Sequence, residues 1–154
     1  MGAYANPAKP FQFLVEIDGV EEFAVQKVTL PEITVGEVEH GAGNTTRKTA
    51  GMVTTGRCTI EKLVAGDGAD VWAEVWTRLA QDPVTGGGAL PQLAYRNIVI
   101  KRMDPSMTVV VQRYLLEDCF PVRYKPAELD RMQKEENIKE TIELSVFRCY
   151  TLGA

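Results

Sequence analysis

Histidine is almost missing from this chain of 154 residues, which has only His40. A lone imidazole has no second histidine with which to share a metal, and no evident partner to make it a general base. Cysteine is sparse and odd in number: Cys58, Cys119 and Cys149 stand far apart with no CxxC spacing. Reduced thiols are therefore expected, and a structural zinc is not. No apolar run approaches the roughly 20 residues of a membrane helix, so no spanning segment is expected. A basic excess is absent too, with 17 Lys+Arg against 21 Asp+Glu and a formal net charge of −4. Modules that grip nucleic acid draw much of their affinity from neutralising phosphates. Any encounter of this chain with nucleic acid is expected to be without grip. Met1 to Pro10 carries no apolar stretch of a secretory kind, so folding in the cytoplasm is expected.

What is present suits a globular domain. Apolar residues make up 45% and charged residues 25%, ordinary values that exclude an intrinsically disordered chain. The length fits a single domain over residues 1–154. The dominant period is two. Phe11, Phe13, Val15 and Ile17 alternate with Gln12, Leu14, Glu16 and Asp18, which predicts a strand with one apolar face. Asp18-Gly19 signals a turn, followed by strands near 23–28 and 33–39. Residues 40–56 are different: polar, small and glycine-rich, they predict a long exposed loop or the tip of an extended hairpin. A strand near 58–63 leads to one helix, capped by Asp67 or Asp70. There Val71, Trp72, Val75, Trp76 and Leu79 recur at helical spacing, and the tryptophans are expected to pack on the sheet. Asp82-Pro83 ends it, and Gly86-Gly87-Gly88 begins a connector. Strands are predicted over 97–103, 108–116, 119–124 and 138–146, with one helical turn over 127–131. The expected fold is mainly β with one helix: an antiparallel two-sheet barrel or sandwich flanked by a helix. Its core should contain Phe11, Phe13, Trp72, Trp76, Phe120, Ile142 and Leu144.

Catalytic motifs do not emerge. Gly86-Gly87-Gly88 lacks the Lys-Ser/Thr of a phosphate-binding loop. Asp67-Gly68-Ala69-Asp70 lacks the later ligands of a calcium loop. Glu37 and Glu39 share a strand face, the arrangement of a carboxylate dyad, but solvated strand charges explain them better. No cofactor and no metal are expected.

The order of segments resembles a known family, the tail tube proteins of contractile phages, which includes the inner-tube subunits of contractile injection machines. Phe11 to Gly19 followed by Phe23 is similar to that family's opening strand and turn. Glu37-Val38-Glu39-His40-Gly41, with Asn44 and Lys48 beyond, resembles the segment leading into its long loop. Gly51, Gly56, Thr59-Ile60 and Leu63 match the return strand. Asp118-Cys119-Phe120-Pro121-Val122-Arg123-Tyr124 resembles its Phe-Pro-Val-Lys-Tyr signature, with Arg123 in place of lysine. His40 stands where a tyrosine-containing stretch is usual, and Leu63-Val64-Ala65-Gly66 replaces the common Arg-Gly. The resemblance runs over about residues 11–149.

It implies a non-enzymatic virion protein, assembled in the host bacterial cytoplasm, whose hexameric rings stack into a tube around a channel. Implied partners are copies of itself, the tail sheath, a baseplate or tube initiator, a tail terminator and a tape-measure protein. Phage DNA would pass through without tight binding, aided by an acidic bore. On this reading His40, Gly41, Gly43, Asn44, Thr45, Thr46, Arg47, Lys48, Thr49 and Gly51 belong to an assembly loop that reaches a neighbouring subunit or ring. The N-terminal arm, 1–10, and the connector, 85–92, are second candidates for contacts. Two alternatives stay open: an inner-tube or effector-carrying ring protein of a bacterial injection or secretion system, and a small-ligand-binding β-barrel or minor enzyme using Glu37 or Glu39.

Overall fold

Apolar alternation sets most of the strands. In the computed structural model, which describes residues 11–22, 24–64, 66, 71–82, 84–88, 91–132 and 137–153, β1 (Phe13–Ile17) turns its odd residues inward and buries Val15 and Ile17. Asp18 and Gly19, with φ of 50° and 83°, form the two-residue turn to β2 (Val20–Glu21). Positive φ at both central residues matches the right-handed twist of the strands they join. Then come β3 (Val25–Thr29), β4 (Ile33–Ala42), β5 (Thr45–Thr55) and β6 (Arg57–Leu63). The helix α1 (Trp72–Ala80) and the short α2 (Pro91–Ala94) precede β7 (Arg96–Met103), β8 (Val110–Lys125), β9 (Lys139–Ser145) and β10 (Arg148–Leu152).

All pairing is antiparallel. One sheet runs β2-β1-β7 to the first half of β8, with β10 on that strand's other side. The second half of β8 pairs with β9, and the order continues through β6 to β3. β2 and β3, at the two ends of this path, do not pair, so the architecture is an open sandwich and not a closed barrel. β4 and β5 form a separate two-stranded ladder.

The two strands expected over 108–116 and 119–124 are one strand of 16 residues, bent where it changes sheet. Asp118 adopts φ 50° at the bend, a left-handed conformation that Asp tolerates better than bulkier side chains. Its N–H donates to Asn97 Oδ1 at 3.1 Å, and the carbonyl of Glu117 accepts from Phe147 N–H at 3.0 Å. Among the described residues ten strands stand where eight were expected, because β2, β5 and β10 add to them while two expected strands merge into β8. The helical turn over 127–131 does not form, while α2 and β10 appear unannounced.

The core lies between the sheets. Val15, Ile98, Ile100 and Leu116 of the first meet Cys58, Ile60, Ile142 and Leu144 of the second. The helix α1 adds Ala73 and a fully buried Trp76, whose Nε1–H donates to Ala94 O at 2.7 Å. Arg96 covers that indole at 5.1 Å, and Lys62 lies 5.4 Å from the ring of half-buried Trp72. Lys62 is itself buried, 3.2 Å from Glu140, whose other oxygen accepts from Tyr124 O–H at 2.9 Å. Burial, followed by this hydrogen bond, pushes the Tyr124 phenol up to about 12. The helix begins without a side-chain cap at Val71; Asp67 and Asp70, the expected caps, lie outside the described residues, as do the arm 1–10, Phe23 and Pro83.

Two expected core residues are placed elsewhere. Phe11 precedes β1 and is 71% exposed, because no second layer covers that end of the sheet. Phe120 pairs with Ser145 on the outward side of the second sheet, where it stacks on Tyr95 at 5.6 Å. Phe13 and Trp72 are half-buried against the core, whereas Trp76, Ile142 and Leu144 lie within it.

Trp76→Ala should destabilise the fold by about 3–5 kcal/mol, since it removes a large side chain that cannot be replaced by local collapse. Urea unfolding followed by circular dichroism measures this, and an unchanged midpoint would contradict the placement. Thiol reactivity tests the same core. Burial, with a smaller contribution from Cys149, holds the Cys58 thiol up at about 12, and burial chiefly raises Cys119 as well. Both stay protonated in native protein at about pH 8 and present little reactive thiolate. A disulfide reagent should therefore modify half-buried Cys149 first and reach all three only in denaturant.

Candidate assembly interface

The segment expected as an assembly loop is a β-ladder. His40 and Gly41 lie on β4, Gly43 and Asn44 make the turn, and Thr45, Thr46, Arg47, Lys48, Thr49 and Gly51 lie on β5. Ala42 pairs with Thr45, His40 with Arg47 and Glu39 with Lys48. Gly43 turns with φ 65°, and Thr45 Oγ1 donates to Ala42 O at 3.0 Å across the turn. Farther down, the register shifts between Val35 and Glu37. Gly51 eases the close approach there, because a Cβ would come within 3.2 Å of Gly36 O and 3.3 Å of Val38 Cγ2 and push these neighbours apart by a few tenths of an ångström. The base closes where Gly56 N–H donates to Glu32 O at 2.7 Å.

This arm buries almost nothing. In β4 and β5 only Ala42, Gly51 and Thr55 are even half-buried, and Met52 is 86% exposed. Ile33, Val35, Val38 and Val53 also face solvent. An isolated two-stranded hairpin is marginal in water, and exposed apolar side chains gathered on such an arm make it a candidate contact surface. Glu37 and Glu39 sit on one side of the ladder with Lys48 between them, 3.4 Å and 3.6 Å from its ammonium. They are a solvated ion-pair cluster. Among the described residues no three His, Cys, Asp or Glu side chains are grouped to hold a metal.

Several sheet edges are open among the described residues. β10 pairs only with β8, β3 only with β6, and the second half of β8 only with β9. β2 covers just Glu16 and Ile17 of β1. Glu117 of β8 accepts from Arg148 Nε at 2.9 Å and from Tyr150 O–H at 2.6 Å, both of β10, fixing that edge strand to β8. Unpaired backbone edges are templates for another chain. A cavity of about 900 Å³ lies on the surface beside Lys125, Leu129, Arg131 and Lys139. The connector 85–92 is only partly described; in it residues 86–88 fold back so that Asp82 N–H donates to Gly87 O at 2.7 Å.

A strand-rich domain with an arm that has no body to pack on, and with open edges on both sheets, is of the class of structural proteins completed by assembly. The chain belongs to the T4-like virus tail tube protein gp19 family, whose model matches residues 9–149. No curated protein sequence matches it. Among solved structures it is similar to a chain of the PVC sheath-tube complex of an extracellular contractile injection system in the extended state, at 17% identity, 96% coverage of this chain, 93% of that chain and a TM-score of 0.79. It is similar to a chain of the anti-feeding prophage tube-terminating cap, at 17% identity over 100% of both chains, with a TM-score of 0.81. Hcp1 from Flavobacterium johnsoniae is a more distant likeness, 15% identical over 94% of this chain and 97% of that one, with a TM-score of 0.59. These likenesses show the fold; the family shows a structural tube subunit, not an enzyme. No helix among the described residues is long and apolar enough to cross a membrane.

Hydrogen exchange of the unassembled chain should separate arm from body. Amides of β4 and β5 should exchange far faster than those of β6 and β9, because opening the arm exposes no core. Equal protection of the two would show that the arm is packed in solution.

Proposed function

We propose that this chain builds the tube of a contractile machine, as hexameric rings stacked around an axial channel. The observation that carries this is the β4–β5 arm. It is ordered as a ladder, holds exposed apolar residues, and belongs to a chain whose family match covers residues 9–149. In a ring the unlike edges of one subunit meet those of the next in a head-to-tail contact, which closes when the rotation fits. The arm from His40 to Gly56 reaches a neighbouring subunit or ring and covers its apolar residues there.

Partners follow from this reading. A sheath surrounds the tube, a terminator and a baseplate protein meet its ends, and a tape-measure protein occupies it during assembly. Similar chains come from a PVC sheath-tube complex, a PVC sheath/tube terminator and an anti-feeding prophage baseplate. Two forms of the machine share this geometry: a phage tail, through which the genome leaves the virion, and an injection system, whose cargo is protein. The family description favours the first. The charge on the outer face of the second sheet favours the other.

Deleting residues 43–50 shortens the arm without touching the core. The variant should keep its unfolding midpoint within about 0.5 kcal/mol of the parent and form no long tubes in negative-stain micrographs. Normal long tubes from the shortened chain would overturn the role given to the arm.

A further inference from the structure

The chain carries a net negative charge, but its charges are unevenly placed. On the second sheet Cys58, Ile60, Ile142 and Leu144 point inward, so the residues between them point out. In register across that outer face lie Thr59, Glu143 and Arg123 in one row and Lys27, Glu61, Thr141 and Lys125 in the next. Arg57 and Lys139 flank these rows. Five cations, Lys27, Arg57, Arg123, Lys125 and Lys139, thus face solvent with two carboxylates. Glu143 is shared by Arg57 and Arg123, 3.8 Å from each. Thr59, Thr141 and Ser145 fill the gaps, and the one large aromatic, Phe120, is stacked on Tyr95. The outer face of the first sheet has another character: Leu14, Val99, Leu115, Tyr150 and Leu152 alternate along it with Glu16, Lys101, Arg113, Glu117 and Arg148, and its charges are paired in opposite signs, Lys101 with Glu16 at 2.7 Å and Arg148 with Glu117 at 2.9 Å.

A channel wall over which cargo slides must be hydrophilic, because exposed apolar groups adhere to passing chains. A face that carries large apolar residues, with its charges already paired among themselves, instead favours burial against other subunits. The second sheet also fits a wall by its edges. Both its margins, β3 and the second half of β8, are unpaired among the described residues, and β4 and β5 extend from between its strands β3 and β6. The first sheet has one margin partly blunted by the two-residue β2, a device that discourages edge pairing.

Building on the tube reading above, we infer that the outer face of the second sheet lines the bore and that its cationic excess suits an acidic polypeptide cargo. This reverses the acidic bore expected from net charge alone. A nucleic acid duplex presents one negative charge per about 1.7 Å of axis, and each neutralised phosphate adds salt-dependent affinity. Such a wall would hold the duplex where rapid passage is needed, and would bring Glu61 and Glu143 against an unbroken row of phosphates. A polypeptide of acidic but mixed charge pairs with the cations and meets these two carboxylates with its own basic residues.

Tubes assembled from the full chain in the presence of labelled poly-L-glutamate test this. They should sediment with the polymer, and the bound polymer should resist a bead-immobilised protease that cannot enter the bore. A variant carrying Arg123→Gln, Lys125→Gln and Lys139→Gln should form the same tubes and retain at least about tenfold less, with retention in the parent falling as salt rises. Equal retention by parent and variant would overturn the inference, as would polymer that binds but is fully digested, or preferential retention of duplex DNA. Micrographs of the same samples keep the two readings apart. Absence of rings from the parent chain defeats the tube reading, whereas rings without protected polymer defeat the cargo inference alone.

Discussion

The structure depends on one strand being shared by two sheets. β8 runs for 16 residues and serves β7 and β10 with its first half and β9 with its second. Neither sheet is complete without it, so the bend at Asp118 sets the angle between the layers and the space that α1 must fill. Trp76 occupies that space with an indole whose N–H is matched to Ala94 O. A buried aromatic with its polar end satisfied combines a large apolar area with one orientation. The core is thus fixed from two directions, by a continuous backbone crossing from sheet to sheet and by a helix wedged into the opening.

The buried pair of Lys62 and Glu140 shows how this packing constrains chemistry. Strand alternation places Lys62 on the same side as Cys58 and Ile60, with its ammonium over the Trp72 ring of α1. An unpaired ammonium there would be severely destabilising; the carboxylate 3.2 Å away compensates it, and Tyr124 satisfies the second oxygen. Such pairs contribute little net stability against apolar replacements of similar shape, yet losing one partner is costly. The cluster therefore restricts which registers of β6 and β9 are tolerable. A slip of one residue would turn Lys62 and Glu140 out to solvent and bring their outward neighbours into the core.

Legibility in the sequence followed the physics of period two. β1, β6 and β9 were readable because each has a core face and a solvent face, and α1 because its tryptophans recur at helical spacing. The Asp18-Gly19 turn was readable from its chemistry. In sequence β8 divides into two strands at the kink before Phe120, because local sequence cannot say that pairing continues on both sides of it. Phe11 and Phe120 were assigned to the core by hydrophobicity, but burial also needs a second layer, and that is a tertiary property. For the arm, family resemblance supplied the notion of an assembly loop, and the glycine- and threonine-rich composition left loop and hairpin undecided. Alternating threonines have strand propensity without a buried face, so nothing in their pattern distinguishes a ladder in solvent from an irregular loop.

The same features explain why the arm and the body need not be equally stable. The body encloses its apolar residues and is held by interlayer packing. The arm's ladder is held by backbone hydrogen bonds and a surface ion-pair cluster around Lys48, and surface ion pairs contribute roughly 0–1 kcal/mol. Its exposed Met52 and Val53 gain little by folding against their own strand partners and much by being covered. A preformed ladder loses less conformational entropy on docking than a structureless loop of equal length. An extended arm of this kind, with apolar residues still exposed, is on the tube reading proposed above closer to its docked form than an irregular loop of the same length.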